Sequence, residues 1–281
     1  MMISSFSGGE TSAFMGKWLI DNGYDVKFIF ANTGSEHPKT LEFINNCHIN
    51  WNLDLTWIEA VVHKGRKGST YKTVNYETAS RKDEPFEEVI KKYGIPNKAY
   101  PHCNRELKIN PIKTWIKESG YQNLDYAIGM RADEFDRMSA KASERNIIYP
   151  LISMVHTVEQ DVKEWWSKQD FKLEVSTHWG NCQTCWKKSP RKQLTIAKNN
   201  PEKYNFFKRM EKEHRNTGSG GPREFNSGVR FKQESITINQ LLELGAAGKF
   251  KEFKEVKPEY QPDLFRMDAG DGCSESCEAF T

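Results

Sequence analysis

The chain has 281 residues, of which 28% are charged and 37% hydrophobic, with mean hydropathy −0.75 and net charge +3. That length suits one large α/β domain with an added C-terminal part, the charge is too small to argue for nucleic acid by itself, and no run approaches the ~20 apolar residues of a membrane span. Six cysteines, with no basic-then-apolar leader, point to metal or redox chemistry in a cytoplasmic protein rather than a disulfide scaffold.

Residues 2–14 read MISSFSGGETSAF. An apolar run with β character (Met2, Ile3, Phe6) stops at Ser7-Gly8-Gly9, and helical spacing follows through Met15, Trp18, Leu19 and Ile20. Strand, glycine turn and helix make a cradle for phosphate. Gly8 and Gly9 permit positive φ and close approach by an anion, and Ser7, Thr11 and Ser12 supply hydroxyls around the first-turn N–H groups. Residues 25–34, DVKFIFANTG, predict a second strand, apolar throughout as in a parallel sheet covered on both faces. A helix follows from Pro38 to Asn46, and Cys47 just beyond reads as a buried structural thiol. Residues 53–63 predict a third strand. The polar, basic stretch 65–86 reads as an insertion or lid, and 85–97 as a short amphipathic helix closed by Gly94 and Pro96.

Residues 101–118, PHCNRELKINPIKTWIKE, place Cys103 at the head of a helix, with Arg105 and Lys108 as candidate anion contacts. Another strand, Leu124 to Ile128, turns at Gly129 into a charged loop. There Arg131 is the preferred phosphate ligand, because a guanidinium binds two oxygens at once. A strand ended by Pro150 and a helix carrying Val158, Val162, Trp165 and Trp166 follow. Cys182 and Cys185 form a C-x-x-C, a spacing that lets two thiolates bind one metal from a single turn; on spacing alone zinc, an iron–sulfur cluster and a redox pair all stay open. Lys187, Lys188, Arg191 and Lys192 would balance an anionic cluster or nucleotide. Beyond lie helices at 201–215 and 236–250, a glycine-rich loop between them, and a polar tail with Cys273 and Cys277.

SGGETS resembles the PP-loop of the ATP pyrophosphatases and of the phosphoadenosine phosphosulfate (PAPS) reductase family. It is not a Walker A loop, which would end in Gly-Lys-Ser/Thr. Four further stretches are similar to family motifs in the family's order: NTG with the helix after it, HCNRELK, GMRADEF, and the Tyr149-Pro150-Leu151 segment. The resemblance covers roughly residues 2–192. It implies a Rossmann-like, doubly wound, mostly parallel α/β sheet flanked by helices, binding an adenine nucleotide at its carboxyl-end loops. It extends the nucleotide contacts to Ser5, Phe6 and Glu10 and puts Asn32, Thr33 and Gly34 near the nucleoside, with Arg105, Lys108, Gly129 and Arg131 around the anion. Thr11 and Asn32 stand where relatives carry Asp. It also implies a cluster on Cys103, Cys182 and Cys185, a 4Fe-4S cluster with zinc as the alternative, the fourth ligand being His102, Cys273, Cys277 or no protein group.

The expected organisation is a nucleotide-binding domain over 1–195 and a helical extension over 196–281. The expected activity is adenylation: ATP with Mg held at the loop, attack at the α-phosphorus, and pyrophosphate release, with sulfur transfer through the cluster as an added step. Ser7, Arg131, Cys273 and Cys277 would carry the chemistry. A PAPS-consuming reductase that makes sulfite and a nucleotide-binding protein without turnover stay open as alternatives. The acceptor is unidentified, with tRNA or DNA not indicated, and a homodimer stays open.

Overall fold

The computed structural model describes residues 1–97, 100–180, 182–215, 217 and 236–254. They fall into two compact units, one of Met1–Phe86 and Cys103–Val175, the other of Glu87–His102 and the described residues from Ser176 onward.

The first unit is built on β1 (Met2–Ser5), α1 (Glu10–Asp21), β2 (Val26–Asn32), α2 (Pro38–Trp51), β3 (Leu55–Val61) and β4 (Thr70–Val74). After α3 (Glu84–Tyr93), which crosses the unit boundary, a single turn α4 (His102–Asn104) runs through a π segment (Arg105–Ile109) into α5 (Asn110–Glu118). The unit closes with β5 (Tyr126–Ala127), β6 (Ile147–Ile148), α6 (Pro150–Ser153) and α7 (Glu159–Ser167). The strands form one sheet in the order β4-β3-β2-β1-β5-β6. Every pairing is parallel except β3 with β4. This is the doubly wound, mostly parallel sheet that the sequence implies.

Alternation along the strands builds two cores. Met2, Phe28, Phe30 and Trp57 face α1, α2 and α7, meeting Met15, Leu19, Phe43, Ile44 and Trp166. Their neighbours Ile3, Ile29, Ala31 and Ile58 face α5, meeting Ile112, Trp115 and Ile116. Both faces being covered explains why β2 is apolar at nearly every position. Cys47 lies wholly inside the first core, where burial pushes its thiol pKa far up. Truncating Phe28, 1% exposed, to Ala should cost about 3–5 kcal/mol.

The stretch expected to be an irregular lid contains β4, antiparallel to β3 with Lys72 opposite Glu59. As a sheet-edge strand with no fully buried position, it has no apolar run to betray it. An Asn75–Thr78 turn ends it, each residue's side chain accepting from the other's N–H at 2.9 Å. The helix from Pro38 runs five residues beyond Asn46, closing on Asn52 in the left-handed conformation (φ 48°).

The second unit holds α8 (Pro190–Asn199), α9 (Asn205–His214) and α10 (Ile238–Ala247). α8, not anticipated from the sequence, starts at a Ser189 cap followed by Pro190, with Ser189 Oγ accepting from the Lys192 N–H. A β-carbon on Gly245 of α10 would stand 2.9 Å from Ala197 Cβ, so glycine lets these two helices meet.

Candidate functional site

β1 and β5 are neighbours, yet α1 leaves β1 on one face of the sheet while α5, which precedes β5, packs on the other. This is a topological switch point, where open α/β sheets leave a crevice outside the strand ends. Two loops border it: 6–9 after β1 and 128–131 after β5.

In the first loop Gly8 takes φ +82°, and an added β-carbon would fall 2.8 Å from Ile44 Cδ1 and 2.9 Å from Thr40 Cγ2. Glycine is therefore required here by conformation and by space. Ser12, buried in the first turn of α1, holds the loop closed. Its Oγ accepts from the Ser7 N–H (3.2 Å) and the Ser7 hydroxyl (2.9 Å), and donates to the Gly9 carbonyl (2.9 Å). Both serine hydroxyls thus shape the loop. No side chain caps α1 at Gly9, and a helix N-terminus of this kind is suited to an anion. Phe6 is a core residue, 1% exposed and edge-on to Phe28; its N–H donates to the Ile29 carbonyl. The Trp166 indole donates to the Glu10 carbonyl at 3.0 Å, tying α7 to the start of α1.

In the second loop a β-carbon on Gly129 would stand 2.9 Å from Ser12 Cα and 3.2 Å from Ser12 N. The second loop meets the first turn of α1 through backbone there. Arg131 reaches across, its Nη1 donating to Thr11 Oγ1 at 3.2 Å. The rest of its fork grips Asp133, Nε to Oδ1 at 3.0 Å and Nη2 to Oδ2 at 3.2 Å, and Glu134 lies at 3.6 Å. Burial works against the Arg131 charge, but Asp133, Glu134 and Glu159 outweigh it and hold its pKa above the ordinary value. Arg137 pairs with Glu134 in turn.

The turn after β2 is wired from within. Thr33 donates through its N–H to Glu36 Oε2 (3.0 Å) and through its hydroxyl to Oε1 (2.8 Å). Gly34 takes φ +80° and packs against Asp83 and Pro85, the Gly34 carbonyl accepting from the Asp83 N–H at 3.1 Å. Asn32 is 0% exposed and bonded to Glu59, Ser80 and Gly34. Its amide thus serves the protein interior.

On the π segment, a conformation found often at functional positions, Arg105 Nε donates to Glu106 at 2.8 Å. The Glu106 carboxylate, 2% exposed, also accepts from the Ser69 N–H and hydroxyl. Burial raises its pKa, but Arg105 and Ser69 prevail and leave it lowered. Lys108 is half-buried on the same segment. Glu36, Glu59 and Glu106 are the residues that sequence reasoning missed. The one available signal was Glu59, a lone carboxylate inside the apolar run LTWIEAV.

Cys103 is buried at the head of its helix. In the second unit, the Cys185 N–H donates to the Cys182 carbonyl (3.1 Å), closing the C-x-x-C turn, and buried Gln193 donates to the Cys185, Trp186 and Lys188 carbonyls. The basic residues expected to balance a cluster have internal roles. Lys188 donates to the Gly180 carbonyl at 2.6 Å, Arg191 to the Glu252 carbonyl, and Lys192 lies over the Phe253 ring. His102 Nε2 donates to the Gly94 carbonyl at 2.9 Å. Among the described residues, no group of three or more His, Cys, Asp or Glu side chains is gathered to hold a metal ion. Cys273 and Cys277 lie outside the described residues.

A family model for the phosphoadenosine phosphosulfate reductase domain matches residues 1–95. The uncharacterized nin region protein ORF290 of Escherichia phage lambda is 30% identical over 290 residues, spanning 99% of this chain and 94% of that protein. Among solved structures, a phosphoadenylyl-sulfate reductase from Candida auris in a phosphate complex matches with a TM-score of 0.39 at 17% identity, over 61% of this chain and 74% of that one. A predicted subunit of a tRNA methyltransferase from Methanocaldococcus jannaschii matches with a TM-score of 0.34 at 19% identity, over 73% of this chain and 92% of that one.

Proposed function

Because the chain belongs to the phosphoadenosine phosphosulfate reductase family of PP-loop proteins, we propose that it is an enzyme that holds ATP at the crevice between β1 and β5. The pyrophosphate end sits on the backbone amides of the Ser7–Ser12 loop and the adenosine lies toward the turn after β2. An acceptor oxygen attacks the α-phosphorus, a new P–O bond forms as the bond to the bridging oxygen breaks, and pyrophosphate leaves. Donors aimed at the leaving charge would carry most of the catalysis.

The observation that supports this reading most is the meeting of Gly129 and Arg131 with Ser12 and Thr11 at the head of α1. It gives one anion site two independent sources of positive potential, the helix N-terminus and a guanidinium. The carboxylates beside it, Asp133 and Glu134, are both paired with arginine. Magnesium, when bound, would spread the negative charge of the triphosphate. The thiols carry no step in this proposal.

A second reading, reduction of a sulfonucleotide to sulfite, is favoured by the description of the matching family model. It needs a nucleophilic cysteine of lowered pKa, for which Cys273 and Cys277 are the sequence candidates, and a second thiol that releases sulfite by forming a disulfide and so supplies the two electrons.

The test is anaerobic purification with an absorption spectrum, then incubation with ATP or PAPS and assay for pyrophosphate and sulfite. Pyrophosphate from ATP supports the first reading, and sulfite from PAPS the second. Nucleotide binding without either product would mark a binding protein and overturn both. A visible iron–sulfur absorption would bring the cysteines into the chemistry.

A further inference from the structure

Lys72, Glu59 and Asn32 stand directly opposite one another on β4, β3 and β2. They form a ladder across three strands that ends at the turn of the nucleoside half of the site. Glu59 is 0% exposed, and a buried carboxylate is costly unless its lone pairs are filled. Here they are filled: by Asn32 Nδ2 at 2.7 Å, the Ser80 N–H at 2.5 Å, the Ser80 hydroxyl at 3.0 Å and Lys72 Nζ at 3.1 Å.

That arrangement dictates which way Asn32 points. A carboxylate only accepts, so the Asn32 NH₂ must face Glu59, with its second hydrogen on the Ser80 carbonyl at 2.9 Å. The amide oxygen is thereby turned toward the loop, where it accepts from the Gly34 N–H at 3.2 Å. Gly34 is the residue with φ +80°, pressed against Asp83 and Pro85. The Thr33–Gly34 turn is thus set from behind, through one amide whose orientation depends on one carboxylate.

We propose that Glu59 is a positioning residue for the nucleoside half of the site. It acts through Asn32 on the Thr33–Gly34 turn and does not touch the ligand. This rests on the nucleotide reading above and adds to it a division of labour. The loop at Ser7–Ser12 holds the phosphates, and the Lys72–Glu59–Asn32 ladder sets the wall against which the nucleoside lies.

The test is calorimetric titration of the full chain with two probes, MgATP and inorganic pyrophosphate. Glu59→Gln should weaken MgATP about tenfold, as expected for losing a hydrogen bond to a charged group. It should leave pyrophosphate affinity within about twofold, since that probe meets only the distant loop. Asn32→Asp, which sets carboxylate against carboxylate, should act the same way. Lys72→Gln, whose native side chain is more than half exposed, should fold regardless and show a smaller loss on MgATP alone.

Equal weakening of both probes by Glu59→Gln, or no weakening of either, would overturn the proposal. If Glu59→Gln does not fold, Asn32→Asp and Lys72→Gln decide by the same criteria. Failure of the nucleotide reading itself shows elsewhere, in the unmodified protein: MgATP would bind no better than pyrophosphate, and this inference would fall with it.

Discussion

Gly129 and Ser12 meet backbone to backbone: a β-carbon on Gly129 would stand 2.9 Å from Ser12 Cα. Real β-carbons do not come so near, and neither partner is a flexible side-chain tip that could swing away. Gly129→Ala should therefore push the strand-end loop off α1, at about 1–3 kcal/mol, the usual cost of overpacking. Because α1's first turn is the proposed anion site, pyrophosphate affinity should fall at least about tenfold. Urea unfolding and calorimetric titration measure the two effects, and unchanged affinity would detach Gly129 from the site.

Ser12 has a larger role in the loop than Ser7. Removing its hydroxyl by Ser12→Ala leaves the Ser7 N–H without its acceptor and the Gly9 carbonyl with the Ala13 N–H but not the second donor. The expected loss is about 1–2 kcal/mol of stability, with weaker pyrophosphate binding. Ser7→Ala removes only one exposed donor and should cost less than about 1 kcal/mol. The reverse ranking would count against Ser12 as the residue that closes the loop.

Arg131 is gripped by Asp133 on the side away from Thr11. Neutralising that partner with Asp133→Asn removes a competing anion from the guanidinium, so pyrophosphate should bind about threefold tighter or better, a modest gain for a partly exposed pair. Arg131→Met should move affinity the other way. Titration of both variants settles the sign, and weaker binding by Asp133→Asn would mean that the carboxylate holds Arg131 in its productive pose.

In the second unit, hydrogen bonds from Arg209, helped by Lys91, pull the Glu87 pKa down to about 2 against the opposing effect of burial. A carboxylate whose folded pKa lies below its unfolded one adds stability at neutral pH. That contribution is present above about pH 5 and is lost as pH falls toward 2. Arg209→Met should lower stability at pH 6 and flatten its dependence between pH 5 and 3. Unfolding at several pH values checks this, and added salt should shrink the effect because Arg209 is 44% exposed.

The parts of the site legible in the residues were those whose cause is local. Ser7-Gly8-Gly9 between an apolar strand and an amphipathic helix announces itself, since positive φ and an uncapped helix start are properties of a few consecutive residues. The same holds for Gly129 after a strand and for the apolar run of β2. Less legible was β4, which lies at the sheet edge and shows water its polar side chains. Asn32, which the resemblance puts near the nucleoside, directs its NH₂ inward onto Glu59.

What the residue order determined by itself was most of the succession of strands and helices, β4 and α8 excepted, and the position of the Ser7-Gly8-Gly9 turn, because burial periodicity and glycine conformation act over one or two turns of chain. Only the tertiary structure decided which charge meets which: Glu59 with Asn32 and Lys72, Glu106 with Ser69, Arg131 with Thr11. A buried charge takes whatever partner the packed sheet brings within hydrogen-bond reach. That partner lies on another strand or loop, at a distance along the chain that no local pattern encodes.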